Sequence, residues 1–283
     1  MSRVPVSIVL PVKNEAANLP RCLASVAWAE EVWVVDSQST DATAEIATAA
    51  GARVRVVQFV FGGTWPKKKN WALETLAFAH EWVLLLDADE VLPPGAEEEI
   101  RAIVTKPGGP DGYWINRRFN FLGTWLRHAY YPNWNLRLFR HRLGRFEQLT
   151  GAATESGDVE VHEHVVVRGE TARLRSEMDH YAFPTVAAFI EKHNRYSNWE
   201  AHVAVEGAHA KTSAPQHFSA RVRRWLRRIS LRLPCRPLLR FLYVYVWQCG
   251  FLDGRAGYYF ARLHGTYELL CVAKTYELQQ RKK

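Results

Sequence analysis

The chain has 283 residues, of which 48% are hydrophobic and 23% are charged, and its formal net charge at pH 7 is +8. This composition is typical of a globular protein with an ample core and excludes a disordered or low-complexity chain. The four cysteines are scattered without a C-x-x-C pair. We therefore expect reduced core thiols in a cytosolic protein rather than a disulfide framework.

The positive charge is concentrated toward the C-terminal end. Residues 208–283 contain 15 Lys/Arg and 3 Asp/Glu, whereas residues 1–207 contain 22 and 26. A basic region of this kind favours an anionic surface as partner. The most apolar later run, residues 241–249, is too short to span a bilayer, and residues 1–12 lack the pattern of a signal peptide.

Apolar runs and helical patterns alternate over the first ninety residues. The predicted strands lie at residues 6–11, 32–36, 53–59 and 82–86, and the predicted helices lie at 19–26, 42–50 and about 71–77. Because each helix connects one strand to the next, the crossovers should be right-handed. The alternation predicts an α/β fold with a doubly wound, mostly parallel sheet.

The pattern changes in the second part of the chain. Between residues 107 and about 169 the periodicity degrades, and short strand-like pieces remain at 113–117, 137–139 and 162–168. Irregular regions of this kind commonly shape a substrate site. Beyond Pro184 the pattern becomes helical, so we expect a helical C-terminal region.

One segment of that region is strongly amphipathic. Its apolar stripe consists of Phe218, Val222, Trp225, Leu226, Ile229 and Leu233, and its other faces carry Arg221, Arg223, Arg224, Arg227, Arg228 and Arg232. This pattern is typical of a helix lying in a membrane interface. A nucleic-acid-binding helix is the alternative, but Trp and Phe on the apolar side favour lipid headgroups.

Polar side chains follow three of the predicted parallel strands where each strand ends. They are Asn14 and Glu15 after the first strand, Asp36 after the second, and Asp87 and Asp89 after the fourth. The carboxyl ends of parallel strands meet at one sheet edge, where α/β proteins bind ligands. Two carboxylates one residue apart suit Mg²⁺ or Mn²⁺ held jointly with a substrate diphosphate. An isolated D-x-D is more often a strand end with a helix cap, but three polar sets at one edge favour a site.

Three common motifs are absent from the sequence. It contains no G-x-G-x-x-G after the first strand, no G-x-x-x-x-G-K-[ST] and no G-x-S-x-G. Their absence argues against a dinucleotide dehydrogenase, a P-loop NTPase and an α/β hydrolase, respectively.

The order and spacing of several motifs carry a family resemblance. They are IVLPVKNE at residues 8–15, VVDSQSTD at 34–41, KN at 69–70, LDADE at 86–90, RLFR at 137–140, HE at 162–163 and FLDGRAG at 251–257. With these motifs the chain resembles family 2 glycosyltransferases of the Rossmann-like GT-A fold. Within that family it is most similar to bacterial lipopolysaccharide-core and related cell-surface polysaccharide glucosyltransferases. The match extends from Val6 to about Leu278.

The resemblance implies a nucleotide-sugar site at the sheet edge. Asp36 would accept a hydrogen bond from the uracil N–H of a UDP-sugar. Asp87 and Asp89 would hold Mn²⁺ or Mg²⁺ against the diphosphate, and Lys69 would add positive charge. The remaining residues of the implied nucleotide-sugar site are Pro11, Val12, Asn14, Glu15, Ser39, Asn70, Ala88, Trp134 and Arg137. Lys67 and Lys68 are expected at a solvated helix start.

The resemblance also implies an acceptor site. Inverting transfer needs a general base for the acceptor hydroxyl, and the candidate is Glu163, whose alternative role is an exposed strand residue. The flanking His162 or His164 could instead approach the metal. Asn133, Trp134 and Arg137 would line the cleft between donor and acceptor. Trp134 would be available to stack on a sugar, and its alternative role is a packed loop tryptophan.

Some family-like segments receive no chemistry from the sequence. They are His180-Tyr181 and the helix around residues 192–196. Asp253 and Arg255, in the FLDGRAG motif, are expected to form a structural ion pair or an interfacial contact.

The implied activity is metal-dependent, inverting transfer of a hexose, glucose foremost, from a UDP-sugar to a hydroxyl of a lipid-attached saccharide. The acceptor would lie at the inner face of the bacterial cytoplasmic membrane, with residues 218–240 on the anionic membrane surface. A GT-A catalytic domain would occupy residues 1–183, divided near residue 106 into a nucleotide-sugar half and an acceptor half (107–183). A helical, membrane-associated region would follow at 184–283.

Three alternatives remain open at this point. One is sugar transfer to polyprenyl phosphate, an acceptor that is already an anion and needs no general base. The second is a nucleotide-sugar-binding protein that has lost catalysis, against which the intact acidic pair argues. The third is a nucleic-acid-binding module, although nucleic acid is not the expected partner.

Overall fold

The computed structural model describes residues 2–63, 65–147, 164–206 and 235–281. These residues form two compact units. The first contains residues 2–119, 132–146 and 164–182, and the second contains residues 120–131, 147, 183–206 and 235–281.

The first unit begins with the predicted alternation of strands and helices. Its elements are β1 (Val4–Val12), α1 (Leu19–Ser25), β2 (Ala29–Asp36), α2 (Thr43–Ala49), β3 (Val54–Gln58), α3 (Lys68–Thr75) and β4 (Trp82–Leu85). The four strands are parallel neighbours in the order β3-β2-β1-β4. The predicted α/β fold, with the strand ends at one edge, is therefore confirmed.

The sheet continues beyond β4 with strands from later in the chain. These elements are β5 (Glu90–Val91), α4 (Ala96–Val104), β6 (Gly112–Phe121), β7 (Thr124–Leu126), β8 (Trp134–Arg140), β9 (Gly144–Phe146), β10 (Val165–Val167) and β11 (Thr171–Phe183). The order after β4 is β8-β6-β11-β5, with β8 antiparallel to both β4 and β6. β9 and β10 form a separate two-stranded antiparallel sheet.

The expected loss of regular structure after residue 107 is wrong for β6, which is ten residues long. Its sequence does not alternate between apolar and polar residues, because Asn116 is buried and Arg117 reaches a buried carboxylate. These polar residues take part in the site rather than in an apolar core, so the period-2 signal of a strand is lost.

Both faces of the parallel strands are covered. Ile8, Val34 and Leu84 pack in a cluster that includes residues of α1, α2 and α4. Their chain neighbours Val9, Val35 and Leu85 belong to the opposite cluster, with Ala72 and Leu73 of α3. Successive strand residues point to opposite faces, which explains why these strands read as continuous apolar runs.

The second unit is largely helical, as expected for residues beyond Pro184. Its helices are α5 (Val186–Glu206), α6 (Arg236–Leu242) and α7 (Gly254–Arg281), with a π-helical turn at Tyr243–Trp247 and a 3-10 turn at Gly250–Asp253. Its core contains the aromatic rings of Phe121, Phe189 and Phe260 in edge-to-face contact. Among the described helices, none combines the length and the apolar character needed to cross a bilayer. Most of the predicted interfacial segment 218–240 lies outside the described residues.

Candidate active site

The loops that follow β1 and β2 are tied together at the sheet edge. Asn14 donates its backbone N–H to Ser39 Oγ over 2.9 Å, and Asn14 Oδ1 accepts the Thr40 N–H over 2.8 Å. Asn14 has a left-handed backbone, with a φ of 56°. Glu15 donates its N–H to Thr43 Oγ1 over 2.8 Å. These contacts bring the predicted residues Asn14, Glu15 and Ser39 together, beside Pro11 and Val12 at the end of β1.

Asp36 lies at the same edge, level with Val12 in the register of β1 and β2. Its buried carboxylate accepts hydrogen bonds from the backbone N–H of Ser39 at 3.1 Å, from Ser39 Oγ at 2.5 Å and from Gln58 Nε2 at 2.9 Å. These bonds fix the orientation of the carboxylate, and a carboxylate oxygen can accept more than one donor.

Asp87 lies between two cationic side chains. Lys69 Nζ is 2.9 Å from Asp87 Oδ1, and an Arg137 guanidinium nitrogen is 2.8 Å from Oδ2. Burial by itself would raise the pKa of Asp87, but the charges and hydrogen bonds of Lys69 and Arg137 outweigh it and hold that pKa well below its ordinary value. The side chain is 32% exposed, so an ionised carboxylate faces the edge of the sheet.

Glu90 organises the cations around Asp87. Its side chain is 0% exposed, and Oε1 accepts from Arg137 at 2.5 Å and from Arg117 at 3.2 Å. Its other oxygen accepts the backbone N–H of Asp87 at 2.9 Å. The pKa of Arg137, which burial alone would lower, is raised by Glu90 and Asp87. No role was predicted for Glu90 or Arg117 from the sequence. The available signal for Glu90 was its position, a charged residue three positions after Asp87.

Asp89 is also buried and contacts a histidine. His180 Nε2 lies 3.2 Å from Asp89 Oδ2, and Tyr181 donates its backbone N–H to the Asp89 carbonyl over 2.9 Å. Burial lowers the pKa of His180 by more than the Asp89 charge raises it. The imidazole is therefore neutral at pH 7, and its Nε2–H can donate to Asp89. His180-Tyr181 was part of the family resemblance, but no function was predicted for it from the sequence.

The start of α3 is not solvated. Lys67 and Lys68 are each 6% exposed, and Lys68 Nζ donates to the Val12 carbonyl over 3.0 Å. The expectation of a solvated helix start is therefore wrong, because both lysines are buried and Lys68 bonds to the end of β1. Asn70 Nδ2 donates to the Phe146 carbonyl over 3.0 Å, and Asn70 Oδ1 accepts the Phe146 N–H over 2.9 Å. The amide of Asn70 thus fixes the end of β9.

The remaining predicted residues differ in what they contact. Ala88 is buried between the two aspartates. Trp134 is half-buried, and the Arg173 guanidinium carbon lies 4.6 Å from its ring centroid. Glu163 and His162 lie outside the described residues.

The carboxylates of Asp87 and Asp89 fit a divalent cation. Both are hard oxygen donors at the carboxyl ends of the parallel strands, and Asp87 keeps its charge at neutral pH, as Mg²⁺ and Mn²⁺ ligands must. Within the part of the chain that the structure describes, no cluster of three or more His, Cys, Asp or Glu side chains is arranged to hold a metal.

A family sequence model identifies the chain. The model described as Glycosyl transferase family 2 matches residues 7–158, which is more than half of the sequence. The chain belongs to glycosyltransferase family 2. It is 26% identical over 288 residues to the lipopolysaccharide core biosynthesis glycosyltransferase LpsC of Rhizobium meliloti, covering 97% of this chain and 93% of LpsC. It is 29% identical over 200 residues to the uncharacterized glycosyltransferase RP128 of Rickettsia prowazekii, covering 69% and 66% of the two chains.

A solved structure confirms the GT-A fold of this family 2 glycosyltransferase. The mannosyltransferase PcManGT of Pyrobaculum calidifontis, determined in complex with GDP-Man and Mn²⁺, superimposes with a TM-score of 0.53 at 17% sequence identity. The comparison covers 97% of this chain and 87% of PcManGT.

Proposed function

We propose that this family 2 glycosyltransferase is a metal-dependent, inverting enzyme of cell-envelope or lipopolysaccharide biosynthesis. It transfers a hexose, for which glucose is our first candidate, from a UDP-sugar to a hydroxyl of a lipid-attached saccharide. The observation that carries this proposal is the ionised Asp87 between Lys69 and Arg137, at the same sheet edge as Asp36. That edge provides a hydrogen-bond acceptor for the nucleobase, Asp36. It also provides carboxylates that suit a metal ion and cations that suit a diphosphate.

Recognition of the nucleotide rests on the ends of β1 and β2. Asp36, held by Ser39 and Gln58, accepts a hydrogen bond from the uracil N–H. Pro11, Asn14 and Glu15 frame the base. Because the linked loops are already fixed by their own hydrogen bonds, binding UDP costs little conformational entropy.

Recognition of the diphosphate rests on Asp87, Asp89, Lys69 and Arg137. The two aspartates would hold Mn²⁺ or Mg²⁺, which supplies positive charge at the diphosphate as the sugar–oxygen bond breaks. The complex of PcManGT with GDP-Man and Mn²⁺ supports a divalent metal in this fold. Arg137 is anchored by the buried Glu90, whereas Lys69, on its flexible stem, moves from Asp87 to a phosphate oxygen when the donor binds.

Transfer to a hydroxyl requires a general base, and Glu163 is our candidate. A positioned base contributes about 10²–10⁴-fold, so Glu163→Gln should lower turnover by that factor while UDP binding persists. If Glu163→Gln left turnover almost intact while Asp89→Ala abolished it, an anionic acceptor such as polyprenyl phosphate would replace the hydroxyl acceptor.

The likeness to LpsC, which covers nearly all of both chains, supports a saccharide acceptor of the lipopolysaccharide core type. A lipid-attached acceptor places the enzyme peripherally at the inner face of the cytoplasmic membrane, with the anionic lipid surface as partner. Of the segment 218–240, only residues 235–240 are described. They begin an exposed apolar surface, here called the α6 face, which consists of Leu238, Leu239, Leu242, Tyr243, Val246, Trp247, Phe251 and Leu252.

The composition of the α6 face supports lipid rather than protein as its partner. Trp247 is 80% exposed, and the one acidic residue among residues 235–259, Asp253, has a side chain that is 3% exposed. Exposed Trp and Tyr rings without carboxylates suit the headgroup region of an anionic bilayer. A protein partner would also fit a contiguous apolar patch, and a vesicle-binding measurement distinguishes the two.

The donor is tested by a release screen. Purified protein is incubated with a lipopolysaccharide-core saccharide acceptor and with UDP-glucose, another UDP-hexose or GDP-mannose, each with Mn²⁺, with Mg²⁺ or with chelator, and free nucleotide is measured. We expect metal-dependent UDP release from one UDP-hexose. Release of GDP alone would overturn the choice of donor, and tight metal-dependent UDP binding without turnover on any saccharide would support a binding protein that has lost catalysis.

A further inference from the structure

His180 of β11 lies directly beside Asp89, and both residues belong to the first unit. Nε2 of its ring is 3.2 Å from Asp89 Oδ2, and the two side chains are 7% and 11% exposed. A carboxylate accepts hydrogen bonds and does not donate them, so the imidazole must carry a proton on Nε2 to make this contact. The bond therefore fixes the orientation of the carboxylate and the tautomer of the ring together.

The rest of the His180 ring has apolar surroundings. Phe119 contacts it edge to face, with ring centroids 4.7 Å apart. The second ring nitrogen, Nδ1, is buried and has no hydrogen-bond partner among the described residues. A buried polar atom without a partner costs free energy, so a phenylalanine would suit a purely structural position better. The ring is therefore best explained by the single hydrogen bond that Nε2 makes to Asp89.

The next residue of β11 holds the backbone of the same aspartate. Tyr181 donates its N–H to the Asp89 carbonyl over 2.9 Å, and β5 and β11 pair at the adjoining position, with Glu90 opposite His180. The Tyr181 ring is covered by Arg21 of α1, whose guanidinium carbon lies 3.6 Å from the ring centroid. The second aspartate of the D-x-D is thus held through its main chain by Tyr181 and through its side chain by His180.

The two aspartates of the D-x-D are oriented by different groups. Lys69 and Arg137 contact the two oxygens of Asp87, whereas Asp89 receives the His180 ring. The groups of a binding site must lie within about 0.5 Å of the productive geometry. Hydrogen bonds from surrounding residues commonly provide this precision for metal-binding carboxylates, and their loss costs about 10–100-fold in metal affinity or activity.

We propose that His180 is a positioning residue for the metal–diphosphate site. By donating its Nε2–H to Asp89, it presents that carboxylate to Mn²⁺ or Mg²⁺ in the orientation that binding of the metal with UDP requires, and the ring is not itself a metal ligand. The inference rests on the proposed function and gives His180 a role within it.

The test compares two changes of His180 that differ in one hydrogen bond. His180→Phe keeps an aromatic ring against Phe119 but removes the donor, whereas His180→Gln keeps an N–H near the position of Nε2. The control is His141→Phe, because His141 also contacts a phenylalanine, Phe78, edge to face. Its backbone N–H bonds to Glu81, which precedes β4, whereas the D-x-D follows that strand.

Four measurements are made on each full-length protein. Calorimetry gives the dissociation constant of UDP with Mn²⁺ and with chelator, and electron paramagnetic resonance gives the affinity for Mn²⁺ with UDP present. Urea unfolding gives the free energy of unfolding. Electron spin echo spectroscopy of bound Mn²⁺ detects the nitrogen of an imidazole that is coordinated directly to the metal.

We expect His180→Phe to weaken Mn²⁺ binding in the presence of UDP by about 10–100-fold. UDP binding with chelator should be unchanged, because the groups that contact the base and the diphosphate are all retained. His180→Gln should restore most of the Mn²⁺ affinity, and His141→Phe should match the wild type. The spin echo spectrum of the wild type should show no coordinated nitrogen.

Equal Mn²⁺ affinities for the wild type and His180→Phe would overturn the inference. A His180→Gln variant that binds Mn²⁺ no better than His180→Phe would overturn it too, as would a loss of metal-free UDP binding and of stability in both variants. A coordinated nitrogen that disappears in His180→Gln would make His180 a ligand and not a positioning residue. Failure of the wild type to bind Mn²⁺ with UDP would instead contradict the proposed metal-dependent function itself.

Discussion

Lys69 Nζ lies 2.9 Å from Asp87 Oδ1, so the first aspartate of the D-x-D already has a cation on one of the two oxygens that could bind a metal. Arg137 contacts the other oxygen. A divalent cation must therefore compete with Lys69 for Asp87, unless a diphosphate arrives to receive the lysine. This geometry favours joint binding of the metal and the donor over binding of the metal alone.

Removing the charge of Lys69 should change metal binding and UDP binding in opposite directions. In Lys69→Gln, Asp87 loses one counter-ion, and free Mn²⁺ should bind about tenfold more tightly, a difference of about 1.4 kcal/mol. UDP should bind less tightly in the presence of Mn²⁺, because the phosphate loses its lysine. Electron paramagnetic resonance of free Mn²⁺ measures the first effect, and calorimetry with UDP measures the second.

The matched control for that change is Lys106→Gln, which removes the same charge from an exposed position. It should alter neither affinity. If Lys69→Gln weakened Mn²⁺ binding in the absence of UDP, the lysine would not be a competitor of the metal.

Glu90 should be important for stability as well as for the site. In Glu90→Ala the partly buried guanidinium of Arg117 and the buried guanidinium of Arg137 lose their shared carboxylate. Breaking a buried pair such as Glu90–Arg137 costs about 3–5 kcal/mol. Urea unfolding should show a loss of that order. The control Glu97→Gln breaks the half-exposed pair with Arg101 and should cost below about 0.5 kcal/mol. Equal losses in the two variants would contradict a central role for Glu90.

His264 should make the second unit sensitive to acid. Burial, followed by the charges of Arg240 and His193, lowers the pKa of His264 well below its ordinary value, and neither ring nitrogen has a hydrogen-bond partner among the described residues. The unfolded chain, with a histidine pKa of about 6.5, therefore takes up this proton first as the pH falls. The stability that is present above about pH 6.5 is then lost as the pH falls toward the folded-state pKa.

The His264→Phe variant tests this sign. Its free energy of unfolding, measured in urea at several pH values, should decline less steeply below pH 6.5 than that of the wild type. The difference in slope can reach about 1.4 kcal/mol per pH unit. Parallel curves for the two proteins would show that His264 does not titrate differently in the folded and unfolded states.

The α6 face should bind anionic vesicles. We expect the full chain to co-sediment with vesicles of phosphatidylethanolamine and phosphatidylglycerol but not with phosphatidylcholine alone. The double change Trp247→Ser and Leu252→Ser removes two exposed apolar side chains and should weaken binding by at least about tenfold. The control Val60→Ser changes an equally exposed apolar residue of the first unit and should have no effect.

Other occupants of the α6 face predict different results. Binding that is unaffected by the double change would assign the membrane contact to residues outside the described part of the chain. A concentration-dependent dimer that the double change dissociates would indicate a second copy as the occupant. Either result would contradict the lipid assignment of the α6 face.

The parallel half of the sheet was predictable because its signals are local. Strands such as residues 6–11 read as continuous apolar runs, since both of their faces are covered, and Asp36, Asp87 and Asp89 follow their strands directly. Parallel neighbours place such residues at one edge whatever the details of packing. The family resemblance then supplied a chemical meaning for that edge.

The partners of these carboxylates were not predictable from local patterns. Arg117 and Arg137 lie 27 and 47 residues from Glu90 in the chain, on strands that enter the sheet from a later, less periodic region. Asn70 looked like a ligand-facing residue but pairs with the backbone of Phe146, which is 76 residues away. Contacts of this kind depend on the order of β4, β8 and β6, which no single strand specifies.

Metal-dependent release of UDP is the most direct measurement of the proposed activity. The assay follows UDP released from UDP-glucose and other UDP-hexoses in the presence of a lipopolysaccharide-core saccharide acceptor, by the wild type and by Asp89→Ala, with and without Mn²⁺. We predict release by the wild type only with the metal, and a loss of at least about 10²-fold in Asp89→Ala. Release that persists with chelator, or that is equal in the two proteins, would contradict a metal–diphosphate site at the D-x-D.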